Sequence, residues 1–246
     1  AAAGVPRDRW VFVVASAAAH DHWHVSTRAH LHRSPALAAS GRAALAHAGL
    51  GVDDVTHLDL YSCFPSAVQI AAAELGVDLA TRTPTVTGGL TFAGGPGNSY
   101  AFHALATLTD RLRAGGGTAL ATAVGWFLTK HAVTVLAAGP PARRHRHADV
   151  QSEVDRLPAR RVGVDDVTDA TVESWTVVHD RSGTPAVASV TCLLTDGARA
   201  VAATTDPGTV TDVLHADPVD LHGGDAPAGV PGRAADLLHQ FVGVEV

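Results

Sequence analysis

Apolar and polar positions alternate with two different periods along the first 137 residues. The run Trp-Val-Phe-Val-Val at 10–14 is short and β-branched, which predicts a buried strand. A polar, histidine-rich stretch follows at 20–32. Ser34-Pro35 then supplies an N-cap and a proline for the first helical position, with Gly49 as the stop of a helix reaching 48. Residues 55–60 alternate as a strand does. Phe64-Pro65 opens a second helix, whose apolar face is expected to hold Phe64, Val68, Ala71, Ala72 and Leu75, and which Gly76 ends. Residues 88–98 form a glycine-rich loop, followed by a helix over 99–113 with Leu105, Leu108 and Leu112 in one stripe. Residues 118–124 and 130–137 read as two closing strands.

The pattern changes after Gly139-Pro140-Pro141. Residues 143–147 are basic and polar and read as a solvated linker. A short helix is expected over 149–157. Strands follow at 171–179, 186–194 and 199–204, with turns at Asp180-Gly183 and Asp196-Gly197. Three closely spaced strands suggest a small meander or barrel. The tail beyond Gly223 is rich in glycine and proline, with one short helix expected at 234–241. The resulting division is an α/β domain over 1–138, a linker over 139–147 and a small β-rich domain over 148–246.

Composition sharpens this picture. The 246 residues are 46% apolar and 17% charged, so a sizeable core can be buried. No apolar stretch is long enough to span a membrane. A net charge of −6 argues against a nucleic-acid partner, the basic run at 143–147 notwithstanding. Two cysteines, Cys63 and Cys192, make no disulfide framework, which fits a reducing cytoplasm. There is no methionine, and residues 1–6 read as the end of a helix in progress, so the chain is expected to be a piece of a longer one.

Candidate chemistry gathers in three loops: Tyr61-Ser62-Cys63-Phe64-Pro65, Gly94-Gly95-Pro96-Gly97-Asn98, and Ala123-Val124-Gly125-Trp126. In an open α/β sheet, ligands bind beyond the carboxyl ends of strands. Two of these loops lead into helix N-termini, where free N–H groups favour negative charge. Tyr61 is either an acid–base group or a ring packed over a strand end. Cys63 sits where a helix N-terminus would lower its pKa, or is a small core residue. His131 is either a base or a structural histidine. Asn98 and Ser99 cap a helix or contact an oxyanion. His20, His22 and His24 alternate, but their loop context and the lack of a cysteine ligand speak against a metal.

The combination resembles the thiolase superfamily. Leu60-Tyr61-Ser62-Cys63-Phe64, Thr87-Gly88-Gly89-Leu90 through Ala93-Gly94-Gly95-Pro96-Gly97, and 121–131 are similar to the C-terminal half of sterol-carrier-protein thiolases and their thiolase-like actinobacterial relatives. Residues 19–35 and Leu128-Thr129-Lys130-His131-Ala132 carry the same resemblance. It implies an incomplete, layered α/β thiolase C-terminal domain followed by a small OB-like β-barrel. It also implies a parent that acts on CoA thioesters in lipid metabolism, as an acyltransferase of the acetyl-CoA acetyltransferase kind, with CoA as substrate and no resident cofactor.

Position by position, the resemblance aligns Tyr61 with the family residue that positions a water or the thioester oxygen. The catalytic histidine of the family's Gly-His-Pro motif is Gly95 here, and the cysteine of its Cys-x-Gly motif is Ala123, ahead of Gly125. The nucleophilic half is not in the chain, so a missing N-terminal half or a partner chain is implied. Expected catalytic residues are Tyr61 and His131; expected contacts to an acyl-CoA are Cys63, Gly94, Gly95, Asn98 and Gly125. The His/Trp-rich stretch at 19–24 is expected to cover an acyl or pantetheine channel. Two alternatives stand beside acyl transfer. One is a retro-aldolase type of C–C cleavage using Tyr61, and the other is a non-catalytic acyl-CoA or lipid-binding subunit.

Overall fold

The computed structural model describes residues 4–163, 170–215 and 242–243. They fall into two units, one of Ala1–Val25 with His30–Leu157, the other of Ser26–Ala29 with the chain from Pro158 onward. In the first unit β1 (Phe12–His20) is followed by α1 (Pro35–Ala48), β2 (His57–Asp59), α2 (Pro65–Leu75), α3 (Leu90–Ala93) and α4 (Tyr100–Gly115). The hairpin of β3 (Thr118–Gly125) and β4 (Lys130–Ala137), then β5 (Arg146–Asp149) and α5 (Gln151–Val154), complete it.

The five strands lie in the order β2-β3-β4-β1-β5. β2 is parallel to β3 and β5 to β1, while β4 runs antiparallel to both of its neighbours. The carboxyl ends of β1, β2, β3 and β5 therefore share one edge of the sheet with the start of β4.

Helix signals in the sequence act as read. The Ser34 side chain accepts the Leu37 N–H, Pro35 occupies the first turn, and Gly49 closes α1 in the left-handed region at φ 71°. Gly76 closes α2 in the same way at φ 76°. α1 and α2 bury Leu37, Ala44, Leu45, Ala71, Ala72 and Leu75 against Leu58, Leu60, Leu120, Val133 and Val135 on one sheet face. α4 packs Leu108 and Leu112 on the other face, against Ala119, Ala121 and Leu136. On α2 Ala67 is buried along with Ala71, Ala72 and Leu75, whereas Phe64 stands 66% exposed. As the N-cap residue in extended conformation, Phe64 does not share the helical face that its spacing suggests.

Two elements depart further from the pattern. β1 continues through Ser16-Ala17-Ala18-Ala19 to His20, small residues without β-branching, because it is held on both sides by β4 and β5. The expected linker over 139–147 ends inside β5, and β5 and α5 belong to the first unit. An edge strand carries charge to blunt its open side, and Arg146-His147 therefore reads as solvated chain.

The second unit contains β6 (Ala170–His179), β7 (Pro185–Leu194), β8 (Arg199–Thr204), α6 (Pro207–His215) and the two-residue β9 (Val242–Gly243). Its sheet is antiparallel in the order β6-β7-β8-β9. The β6–β7 turn is closed by Asp180, whose carboxylate accepts the N–H groups of Ser182 and Thr184. Val172, Ala188, Val190, Cys192 and Ala202 pack with Val210 and Val213 of α6. Burial pushes the Cys192 thiol up to about 11, as befits an inert core cysteine. Arg199 is fully buried, yet its guanidinium is paired with Glu173 at 2.6 and 3.1 Å and donates to the Ser26 carbonyl at 2.9 Å.

Among the described residues this sheet is open, not the expected small barrel. Closure needs the first and last strands to meet, and a meander pattern does not encode that. The helix expected at 234–241 lies outside the described residues. α6 was not anticipated, although Asp206 caps it through the Thr209 N–H at 2.8 Å and Pro207 opens it.

Gly41 offers a test of the α1–α2 packing. Alanine in a helix interior is ordinarily better than glycine by ~1 kcal/mol. A Cβ on Gly41, however, would fall 2.1 Å from Leu75 Cδ2 inside the core. Overpacking of this kind outweighs the propensity gain, and Gly41→Ala is expected to lower stability by about 1–2 kcal/mol in urea unfolding. The double variant Gly41→Ala/Leu75→Val should recover much of that loss.

Candidate functional site

β2 ends at Asp59, and the chain leaves the sheet through Leu60 and Tyr61. The Leu60 N–H donates to the Pro84 carbonyl at 2.8 Å, and the Tyr61 N–H to Thr122 Oγ1 of β3 at 2.8 Å. These two bonds fix where the Tyr61 loop begins. Beneath it lies a polar cluster centred on the buried Asp59 and Tyr100. Asp59 is fully buried, and its Oδ1 accepts the Tyr100 hydroxyl at 2.8 Å. Its Oδ2 accepts the N–H groups of Val86 and Thr87, both at 3.1 Å, and the Thr87 hydroxyl at 2.9 Å. Tyr100 in turn accepts the Ser62 hydroxyl at 3.2 Å, and Ser62 Oγ accepts the Leu90 N–H at 2.9 Å. One carboxylate thus ties together the end of β2, the 84–90 loop and the first residue of α4.

Tyr61 stands edge-on to Tyr100, with ring centroids 5.1 Å apart. Burial raises the Tyr61 phenol above its usual range, with a further push from Cys63. The Tyr100 phenol is also raised, first by burial, although bonds from Ser62 and Thr87 oppose the rise. Both phenols are therefore protonated donors near neutral pH. Cys63 does not have the lowered pKa expected at a helix N-terminus. Burial raises it and outweighs the backbone N–H groups of Phe64 and Cys63 that favour the thiolate.

The glycine-rich loop reaches the same edge. Gly94 and Gly97 have φ of 68° and 60°, a region that favours glycine. A Cβ on Gly95 would lie 3.1 Å from both Leu90 Cδ1 and Tyr100 Cβ, so Tyr100 fills the space that a side chain there would need. Asn98 is exposed and has no side-chain hydrogen bond among the described residues, and Ser99, the N-cap of α4, makes no capping bond. His103, a residue not singled out in the sequence, holds the loop by its Nδ1 at 3.0 Å from the Ala93 carbonyl.

His131 lies elsewhere. Its side chain faces α1, on the sheet face opposite Tyr100 and Tyr61, and is buried. Nε2 lies 3.0 Å from the Leu128 carbonyl, 3.0 Å from Ser34 Oγ and 3.5 Å from Asp21 Oδ2. The carbonyl only accepts, which places the proton on Nε2. Nδ1 is buried without a partner among the described residues. Ser34 Oγ donates to Asp21 Oδ2 at 2.6 Å, and Asp21 Oδ1 accepts the Ala36 N–H at 2.9 Å. Burial alone would raise the Asp21 carboxyl, but the bonds from His131, Ser34 and Ala36 hold it below 3.8. The cluster secures the start of α1 and the β3–β4 turn, where Trp126 and Leu128 adopt φ of 59° and 52°. Such backbone strain, of order 1–3 kcal/mol per residue, persists only where the surroundings enforce it. Here the Thr129 N–H binds the Gly125 carbonyl and the Asp21 N–H binds the Thr129 carbonyl.

That turn presents Trp126 at 66% and Phe127 at 71% exposure, and Trp126 meets Trp23 edge-on at 5.5 Å. His20 stacks on Trp23 at 4.8 Å. A Cβ on Gly125 would meet only the Lys130 side chain, tightly at its flexible Cε (3.0 Å) and in ordinary contact at its Cβ (3.5 Å), so that glycine is not required by its backbone. The structure therefore brings together Tyr61, Cys63, Gly94 and Gly95 around Tyr100, and sets His131 apart. No group of three or more metal-binding side chains occurs among the described residues, and no helix among them is long and apolar enough to cross a membrane.

Comparison with known proteins gives three findings. Residues 17–96 match the family described as Thiolase C-terminal domain-like, and residues 149–225 the Thiolase-like protein type 1 additional C-terminal domain. A crystal structure of a monomeric SCP2-thiolase like protein type 1 from Mycobacterium smegmatis is similar with a TM-score of 0.77 and 33% identity, over 87% of this chain and 48% of that one. The chain thus spans about half the length of this relative. No curated protein matches the chain.

Two outcomes test the site's construction. Tyr100→Phe removes one donor from a buried carboxylate and is expected to lower stability by about 1–3 kcal/mol in chemical unfolding. Because the folded-state pKa of Asp21 lies below 3.8, its contribution is complete above that pH and is lost as pH falls through the depressed value. Stability measured from pH 6 down to pH 2 should therefore fall less steeply in Asp21→Asn than in the parent, although the variant starts from a lower value.

Proposed function

Because the chain belongs to the thiolase-like superfamily, we propose that it forms the C-terminal half of a CoA-thioester site of the acetyl-CoA acetyltransferase kind, working in lipid metabolism. One observation carries this reading. The Tyr61 loop and the Gly94–Gly97 loop are anchored to one another through Tyr100 and Asp59 at the carboxyl edge of the sheet. Tyr61, Cys63, Gly94 and Gly95 would line the thioester end. The exposed rings of Trp23, Trp126 and Phe127 would cover the acyl or pantetheine portion. Asn98 and Gly125 would add contacts at the rim. The complementary half, in the same polypeptide or in a partner chain, would supply the nucleophile, and the assembly would reside in the cytoplasm.

Within this reading the chain alone is inactive. Claisen chemistry needs an activated thiolate and a base for the α-proton. Gly95 and Ala123 offer neither, the Cys63 thiol is raised, and Cys192 is buried. His131 is committed to Leu128 and Ser34 and acts as a positioning residue for the β3–β4 turn.

A second reading is favoured by the raised phenol of Tyr61 beside the lost bases. In retro-aldol cleavage of a β-hydroxyacyl-CoA the Cα–Cβ bond breaks, its electron pair passes into the thioester enolate, and the β-hydroxyl gives up its proton as it becomes a carbonyl. The protonated Tyr61 phenol would donate to the enolate oxygen, and the complementary half would supply the base that takes the hydroxyl proton. The third reading, a non-catalytic acyl-CoA or lipid-binding subunit, needs the aromatic edge and no proton transfer.

The test uses a polypeptide or complex that contains this chain together with the complementary half. Acetyl-CoA binding by calorimetry is expected, and its absence would overturn all three readings. If C–C cleavage of a β-hydroxyacyl-CoA is observed, Tyr61→Phe should reduce it about 10²–10⁴-fold with binding retained. Unchanged turnover in that variant would overturn the lyase reading. Binding without any turnover selects the binding subunit.

A further inference from the structure

The opposite end of β2 carries a second feature. A groove of about 420 Å³ opens between the start of β2, the 81–86 loop and α4, lined by Thr56, His57, Arg82, Thr83, Thr85 and Arg111 among others. No carboxylate lines it. The acidic groups closest in sequence to the lining are engaged by other partners: Asp110 lies 3.8 Å from Arg113, Asp59 accepts the Tyr100 hydroxyl, Asp54 accepts the Gly51 N–H, and Asp78 accepts the Ala80 N–H and the Thr81 hydroxyl. The lining itself thus carries two arginines and no acid.

Its donors differ in their commitments. The two terminal nitrogens of Arg82 donate to the Val52 and Val55 carbonyls, which fix the guanidinium without neutralising it. Arg111 has no hydrogen bond or ion pair among the described residues, nor do the Thr83 and Thr85 hydroxyls or the His57 ring. A fixed cation, a free cation and three unoccupied polar groups thus converge on one concavity. Arginine forks and hydroxyl donors are the groups that match a tetrahedral oxyanion.

We infer that this groove binds a phosphate monoester, at a site separate from the Tyr61 edge and independent of the function proposed for that edge. Arg111 closes on the anion while Arg82 supplies a preset charge, and the two threonines donate to the remaining oxygens. The volume exceeds that of a phosphate group alone, so the phosphoryl group of a larger molecule also fits.

The test is a titration of the polypeptide or complex that contains this chain with its complementary half, isotopically labelled in this chain, with inorganic phosphate, with ribose 5-phosphate and with chloride at matched ionic strength, read by amide shifts of His57, Thr83 and Thr85. Saturable shifts with the two phosphates and none with chloride are expected. Arg111→Ala, at an exposed position without partners, should weaken binding about tenfold or more, the loss expected of one charge-assisted hydrogen bond. Tighter binding of the sugar phosphate would assign a phosphoryl group carried by a larger ligand, and equal affinity the free anion. Equal shifts with chloride, no shifts with either phosphate, or undiminished binding in Arg111→Ala would each overturn the proposal.

Discussion

The first unit depends on a carboxylate that has no cation beside it. Asp59 is fully buried at the end of β2 and is satisfied by four donors, two of them backbone N–H groups from the 84–90 loop. Burying a charge is tolerable only when its lone pairs are filled. Each of those donors is therefore obliged to stay where it is. Tyr100 must open α4 at this point, Val86 and Thr87 must run past the end of β2, and Ser62 must reach Tyr100 from above. The loops that carry the candidate chemistry are ordered by the needs of this one group rather than by packing of their own.

A second buried carboxylate performs the corresponding task on the other sheet face. Asp21 holds the N-cap serine of α1 and the His131 ring, and His131 holds the Leu128 carbonyl. The consequence is a hairpin turn with two non-glycine residues at positive φ, which projects Trp126 and Phe127 outward. Asp59 sets the polar part of the edge, and Asp21 sets its aromatic part. His131 is Ser-His-Asp-like in composition only, since its cluster is closed to solvent and spends its bonds on backbone.

Much of this was legible in the sequence where a local rule was enough. Ser34-Pro35 and Gly49 bound α1 because capping is local, and the hairpin turns at Asp180 and Asp196 are local for the same reason. The alternation of strands and helices placed the three loops at strand ends, where an open α/β sheet binds ligands. What remained hidden depended on partners distant in sequence. β5 looks like a basic linker because an edge strand need not alternate. The Ala-rich end of β1 looks like no element, because its pairing with β4 and β5 supplies the order. Tyr100 looked like the start of an amphipathic helix, and nothing nearby says that its hydroxyl belongs to Asp59. For Cys63 the sequence leaves open a thiol lowered by the helix terminus or a small buried residue, and burial outweighs the terminus, a balance that residue spacing does not contain.

The two ends of β2 show how little regular structure is needed to separate two chemistries. Three residues of strand span about 10 Å. At its carboxyl end the polar groups are consumed by one another, and what faces outward is mostly rings, glycine backbone and the Tyr61 phenol. At its amino end Arg111, the Thr83 and Thr85 hydroxyls and the His57 ring have no hydrogen bond among the described residues, and no carboxylate lines the groove. Proton transfer needs a titratable group with a free position. Anion binding needs fixed positive charge and spare donors. The carboxyl end offers the Tyr61 phenol and the Cys63 thiol, both held protonated by burial, whereas the amino end has charge and donors in excess. An edge whose hydrogen bonds are spent on holding its own loops is better suited to presenting a shaped surface to a ligand and to a complementary half-site than to carrying a reaction unaided.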